Sequence, residues 1–225
     1  MKPFEVPLFN APFRQYSLEE SDEFARRTGW IDDIGIIDPA NSIVQSKPVP
    51  WWEGCELITV QSERWEDKMG AWILCTSTNK LIRLDGTSPP IHSLNAEHGP
   101  QLNAELALPY LGFFCTFVHG EDGMFGILNS ANEAVLPSGW PSEKYADQIK
   151  PANLVDENDK EYNVEVTVCY STALFWAHFK VKSNGQCDMV DDEPIAADVG
   201  VKIPLTLKFS PKEESLPSDT DSTTH

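Results

Sequence analysis

Basic residues are scarce in this chain: 17 lysines and arginines stand against 35 acids, a formal net charge of -18. A phosphate-backbone binder needs clustered Lys and Arg to release counterions, so direct nucleic-acid binding is disfavoured. An anionic membrane surface is disfavoured on the same ground. Long apolar runs are missing too. No segment approaches the ~20 residues of a membrane-spanning helix, and Met1–Pro7 lacks the apolar stretch of a secretory signal. The five cysteines, Cys55, Cys75, Cys115, Cys169 and Cys187, are odd in number and far apart. They offer no short metal spacing and no disulfide framework. Most stand in apolar or strand-like runs, where a thiol acts as a small hydrophobe. Reduced thiols predict a cytoplasmic location.

Catalytic signatures are equally thin. There is no G-x-G-x-x-G and no G-x-x-x-x-G-K-[ST] phosphate loop. Ser88, Ser130 and Ser171 lie outside any G-x-S-x-G context, which removes the nucleophile elbow of an esterase. The sequence therefore assigns no catalytic residue, no metal ligand and no cofactor.

What is present is organised around Leu108–Gly120. Leu111, Phe114, Cys115 and Val118 fall at i, i+3, i+4 and i+7, one face of an α-helix. Tyr110, Phe113 and Phe117 widen that face, leaving Gly112, Thr116 and His119 as the polar stripe. A helix this apolar is expected to be buried on most sides. Pro109 suits only a first turn, so the regular helix is predicted from near Leu108, with a looser turn from Asn103.

Before it, three prolines in Met1–Tyr16 predict an extended start. Ser17-Leu18-Glu19-Glu20 reads as a capping box opening a helix through Arg26-Arg27, with Gly29 as its stop. Trp30–Glu53 reads as Pro-rich and irregular. Strands are predicted over Cys55–Val60, Gly70–Thr76 and Leu81–Leu84, the last two joined through Ser77-Thr78-Asn79. Asp85–Pro90 reads as a turn.

After it, Met124–Leu128 is a predicted strand and Ser142–Ile149 a short helix. Asp156–Lys160 reads as a polar loop, and Pro151–Asp159 as the only plausible seam. Tyr162–Tyr170 and Ala173–Lys182 alternate strictly, the mark of a sheet with one face buried. Asn184-Gly185 predicts a hairpin to a strand over Gln186–Val190, stopped by Asp191-Asp192-Glu193. Val201–Phe209 is a possible edge strand, and the Ser, Pro and acid of 210–225 predict a disordered tail. The expected fold is α+β: one domain over 1–209, with a mostly antiparallel sheet of roughly six to eight strands packed on the buried central helix.

Three features are candidate sites. His119-Gly120-Glu121-Asp122 joins an imidazole to two carboxylates, but a histidine at a helix end also suits the dipole and Glu121-Asp122-Gly123 suits a turn. Asp191-Asp192-Glu193 offers oxygen ligands, but lacks the spacing of a calcium loop and equally protects a strand edge. Seven tryptophans are many for this length, and Trp51-Trp52 lie in a Pro-rich loop. Exposed aromatic anchors mark partner contacts, whereas the structural alternative folds the loop inward over the sheet. The expectation is a non-catalytic acidic protein that binds a protein partner or a second copy of itself, with Trp51 and Trp52 as partner-binding residues. The rivals are an enzyme with a site near His119 and a small-ligand binder lined by loop tryptophans.

Overall fold

The computed structural model describes residues 6–28, 38–62, 70–131, 136, 139–158 and 160–202, excluding the side chains of 70–73. The first half of the chain forms a five-stranded antiparallel sheet in the order β1 (Arg14–Gln15), β2 (Ser42–Pro48), β3 (Glu56–Ser62), β4 (Gly70–Cys75) and β5 (Leu81–Arg83). Alternation along β3 divides its apolar side chains between two faces. Ile58 and Val60, with Val44 and Cys75, pack on Phe24 of helix α1 (Leu18–Thr28). Leu57 and Leu74 face the main core.

The predicted capping box is present: Ser17 N–H donates to Glu20 Oε2 at 2.8 Å, and Glu20 N–H donates to Ser17 Oγ at 3.2 Å. Gly29, the expected stop, lies outside the described residues.

Two helices then cross the core, α2 (Pro89–His98) and α3 (Ala104–Phe117). The expected turn over Asp85–Pro90 runs into the first two residues of α2, and no element was expected over 91–98. Pro89 and Pro90 occupy the first turn of α2, where the missing N–H groups would have had no helical partner anyway. Helix α3 starts earlier than expected because Asn103 caps it, its side chain accepting from Leu106 N at 2.9 Å. Pro109 is thus a second-turn residue, and the surrounding packing carries the lost backbone bond. Tyr110, Leu111, Phe113 and Phe117 are fully buried, and one apolar cluster joins them to inward residues of both sheets.

The expected polar stripe of α3 is not wet. Gly112 and Thr116 are buried. Thr116 Oγ1 donates to the Gly112 carbonyl at 2.7 Å. The backbone of Pro7 crosses so close to Gly112 that a Cβ there would overlap the Pro7 carbonyl oxygen. Here the N-terminal segment is a tight turn and not extended, Phe9 N–H donating to the Val6 carbonyl at 3.2 Å; it covers this side of the helix, and only glycine admits it.

The second half of the chain supplies β6 (His119–Gly120), β7 (Gly123–Leu128), α4 (Ser142–Tyr145), β8 (Asn153–Asn158), β9 (Glu161–Tyr170), β10 (Ala173–Lys182) and β11 (Cys187–Ala196). The second sheet runs β11-β10-β9-β7-β6, with β8 also paired to β9. Val164, Val166, Val168, Ala177, Phe179 and Val181 face the core.

The mixed, mostly antiparallel α+β fold holds, but among the described residues it is built as two sheets of five and six strands instead of one. Three local expectations are corrected. Asn153–Asn158, read as seam and polar loop, is a strand because its backbone pairs along the edge of β9. The regular part of α4 stops at Tyr145. The acids of 191–193 do not end β11, which continues past them and through Pro194. Pro194 is tolerated because β11 is a terminal strand. From residue 203 onward, the expected last strand and tail lie outside the described residues.

Candidate functional site

Trp51 and Trp52, offered as partner-binding anchors against the alternative of a loop folded inward, are 0% and 1% exposed. The segment between β2 and β3 is a tight turn, with Val49 N–H donating to the Cys55 carbonyl at 2.9 Å and Trp52 N–H to the Val49 carbonyl at 3.3 Å. It lays both indoles over α3. Trp51 lies 4.9 Å from Phe9, 5.1 Å from Phe113 and 5.4 Å from Tyr110, centroid to centroid. A partner cannot reach either ring in this conformation.

Beneath them runs a polar chain. Trp52 Nε1 donates to Asn95 Oδ1 at 3.2 Å, Asn95 Nδ2 to Tyr110 Oη at 2.8 Å, and Tyr110 Oη to the Gly185 carbonyl at 2.8 Å. Burial pushes the Tyr110 phenol well above its usual pKa. The chain ties α2 and α3 to the β10–β11 turn, so these groups act in folding.

His119 does not join its neighbouring acids in a catalytic arrangement. Its Nε2 donates to the Thr116 carbonyl at 3.1 Å, and its ring packs beside Gly86. Burial lowers its pKa, opposed by that hydrogen bond. Asp122 instead meets Lys202 at 3.5 Å, and its backbone N–H donates to Tyr170 Oη at 2.8 Å. Among the described residues no hydrogen bond or ion pair links His119 to Glu121 or Asp122, and no group of three or more His, Cys, Asp or Glu side chains is placed to hold a metal.

The polar groups that do converge lie on the outer face of the second sheet. The β9–β10 hairpin sets His178 opposite Glu165 and Trp176 opposite Thr167. On the other side β11 sets Asp191 opposite His178 and Glu193 opposite Trp176. His178 Nε2 and Glu165 Oε1 are 2.5 Å apart. Further along, Lys180 pairs with Glu161 at 3.2 Å and Lys182 with Asp188 at 3.1 Å. Lys182 and Gln186 hold the Asp188 carboxyl below its usual pKa.

Lys150 approaches from the segment after α4. Its backbone N–H donates to Thr167 Oγ1 at 3.0 Å, and that hydroxyl donates back to the Lys150 carbonyl at 3.0 Å. Thr167 is the cross-strand neighbour of Trp176, so this two-way clamp delivers the lysine to the indole. Lys150 Nζ lies 3.0 Å from the Trp176 ring centroid. The result is an open recess of about 260 Å³ lined by Lys150, Glu165, Trp176, His178, Asp191, Asp192 and Glu193. Four carboxylates surround one ammonium and an aromatic face. Chemically this suits a cation: the indole offers its negative face, and the acids offer charge.

In the sequence, His178 has no partner at a recognisable spacing and Trp176 simply alternates with the inward residues of a strand. The signal was arithmetic. A hairpin turning at Ser171-Thr172 pairs residues whose numbers sum to a constant, which places 178 on 165 and 176 on 167. The contribution of Lys150 had no such signal, since Thr167 brings it in from outside the sheet.

No protein-family model, curated protein or solved structure matches the chain. Among the described residues no helix is long and apolar enough to cross a membrane.

Proposed function

We propose that this chain is a non-catalytic binding protein whose recess at Trp176 takes cationic side chains from a basic segment of a protein partner. The supporting observation is the convergence of Glu165, Asp191, Asp192 and Glu193 around a half-buried indole. The net charge of -18 adds long-range attraction for a basic partner. It also argues for a different partner over a second copy, because two such faces would bring like charges together. The five free cysteines fit a reducing compartment, in keeping with a cytoplasmic site of action.

The test is calorimetric titration with a capped Arg-Gly-Arg-Gly-Arg peptide at low and high salt. Binding should weaken with salt. The Asp191→Asn/Glu193→Gln variant should weaken it by about fivefold, as expected for two partly screened charges. Glu23→Gln/Glu97→Gln, which removes the same two charges from α1 and α2, should change it little. Equal losses from the recess variant and this control would reduce the binding to general charge attraction and overturn the reading.

A further inference from the structure

We propose that Lys150 is an internal occupant of this cation site, an ammonium of the protein's own that a partner's cation must displace. The inference rests on the binding reading above and concerns how that site is held when no partner is bound.

Three observations separate Lys150 from the other lysines of the face. First, it is exposed, yet its backbone is fixed at both N–H and carbonyl by the Thr167 hydroxyl. The clamp holds the side chain's origin beside the ring. Second, Lys180 and Lys182 each reach a carboxylate within 3.2 Å, whereas Lys150 makes no ion pair among the described residues and places its ammonium on the Trp176 ring. Third, the carboxylates of Asp191, Asp192 and Glu193 stand in the same recess without an ion pair to Lys150. The aromatic half of the site is filled while much of its acidic half stays open to an incoming charge.

A tethered ligand competes at the effective concentration its tether imposes, of millimolar order for a short flexible link. Here the link is one lysine side chain from a fixed backbone. Displacement moves Lys150 into water at the cost of one cation–π contact. The partner's cation then gains that contact together with the waiting carboxylates. The device sets a threshold, so isolated cations bind weakly and a segment carrying several charges binds well.

The experiment compares wild type, Lys150→Gln and Lys80→Gln in titrations with the same capped Arg-Gly-Arg-Gly-Arg peptide, read by the indole N–H resonance of Trp176. Lys80 lies at the β4–β5 turn, so Lys80→Gln makes the same change in net charge away from the recess. Lys150→Gln should bind about three- to tenfold more tightly than wild type, the range set by losing one exposed cation–π competitor. Lys80→Gln should gain much less. If Lys150→Gln binds no better than Lys80→Gln while the peptide still moves the Trp176 resonance, the internal occupant is overturned and the binding site stands. If the peptide moves the Trp176 resonance in none of the three proteins, both fall.

Discussion

The Trp51–Trp52 turn and the Trp176 recess put the same residue type to opposite uses. Trp51 and Trp52 are covered by Phe9, Tyr110 and Phe113 and are 0% and 1% exposed. Their surroundings are aromatic and, apart from the Asn95–Tyr110 chain, dry. Trp176 is half-buried on a sheet face, with an ammonium above it and carboxylates around it. An aromatic ring becomes a recognition element through the charge beside it and the water that reaches it, not through membership of a loop.

The largest effect that sharpens this contrast is on stability. Trp51→Ala should lower unfolding free energy by about 3–5 kcal/mol, the range for removing a large buried aromatic. Trp176→Ala should cost less, about 1–2 kcal/mol, from the buried half of its ring and its contact with Lys150. Urea unfolding measures both. Similar costs at the two positions would break the distinction.

A smaller effect concerns pH and belongs to the interior. Burial lowers the folded-state pKa of His119, so the unfolded chain takes up its proton first as pH falls. Its contribution to stability is intact above the ordinary histidine pKa, about 6.5. It is lost as pH falls through the lower folded value. His119→Gln, compared with wild type by urea unfolding across that window, should flatten the pH slope. An unchanged slope would mean that His119 is solvated like a surface histidine.

The architecture was legible wherever one local rule governed. Alternation in 162–170 and 173–182 gave the strands β9 and β10, and Ser17 with Glu20 gave the start of α1. The aromatic spacing of 110–117 gave a buried helix. Failures came where tertiary contact overrode composition. Ser42–Pro48 lies in the stretch Trp30–Glu53 that reads as Pro-rich and irregular, but it is strand β2, and its Lys47 looks unsuited to a core. Yet its ammonium is buried, donating to the Phe9 carbonyl at 3.0 Å and lying 4.0 Å from the Phe9 ring centroid. Asn153–Asn158 reads as loop because its side chains are mostly exposed, although its backbone is paired. Trp51-Trp52 reads equally as an exposed anchor or as a loop folded inward, because nothing in 49–52 itself reveals that α3 and Phe9 close over it. The recess was half legible: its hairpin register follows from the turn at 171–172, while Lys150 depends on a contact from Thr167 that no periodicity encodes.

The central claim is that Trp176 meets partners and Trp51 and Trp52 do not. It is tested most directly by assigning the indole N–H resonances through single Trp→Phe variants and following them while the Arg-Gly-Arg-Gly-Arg peptide is added to the intact chain. The Trp176 resonance should shift in a saturable, salt-sensitive manner while those of Trp51 and Trp52 stay in place. Movement of the two buried indoles with Trp176 unmoved would contradict it.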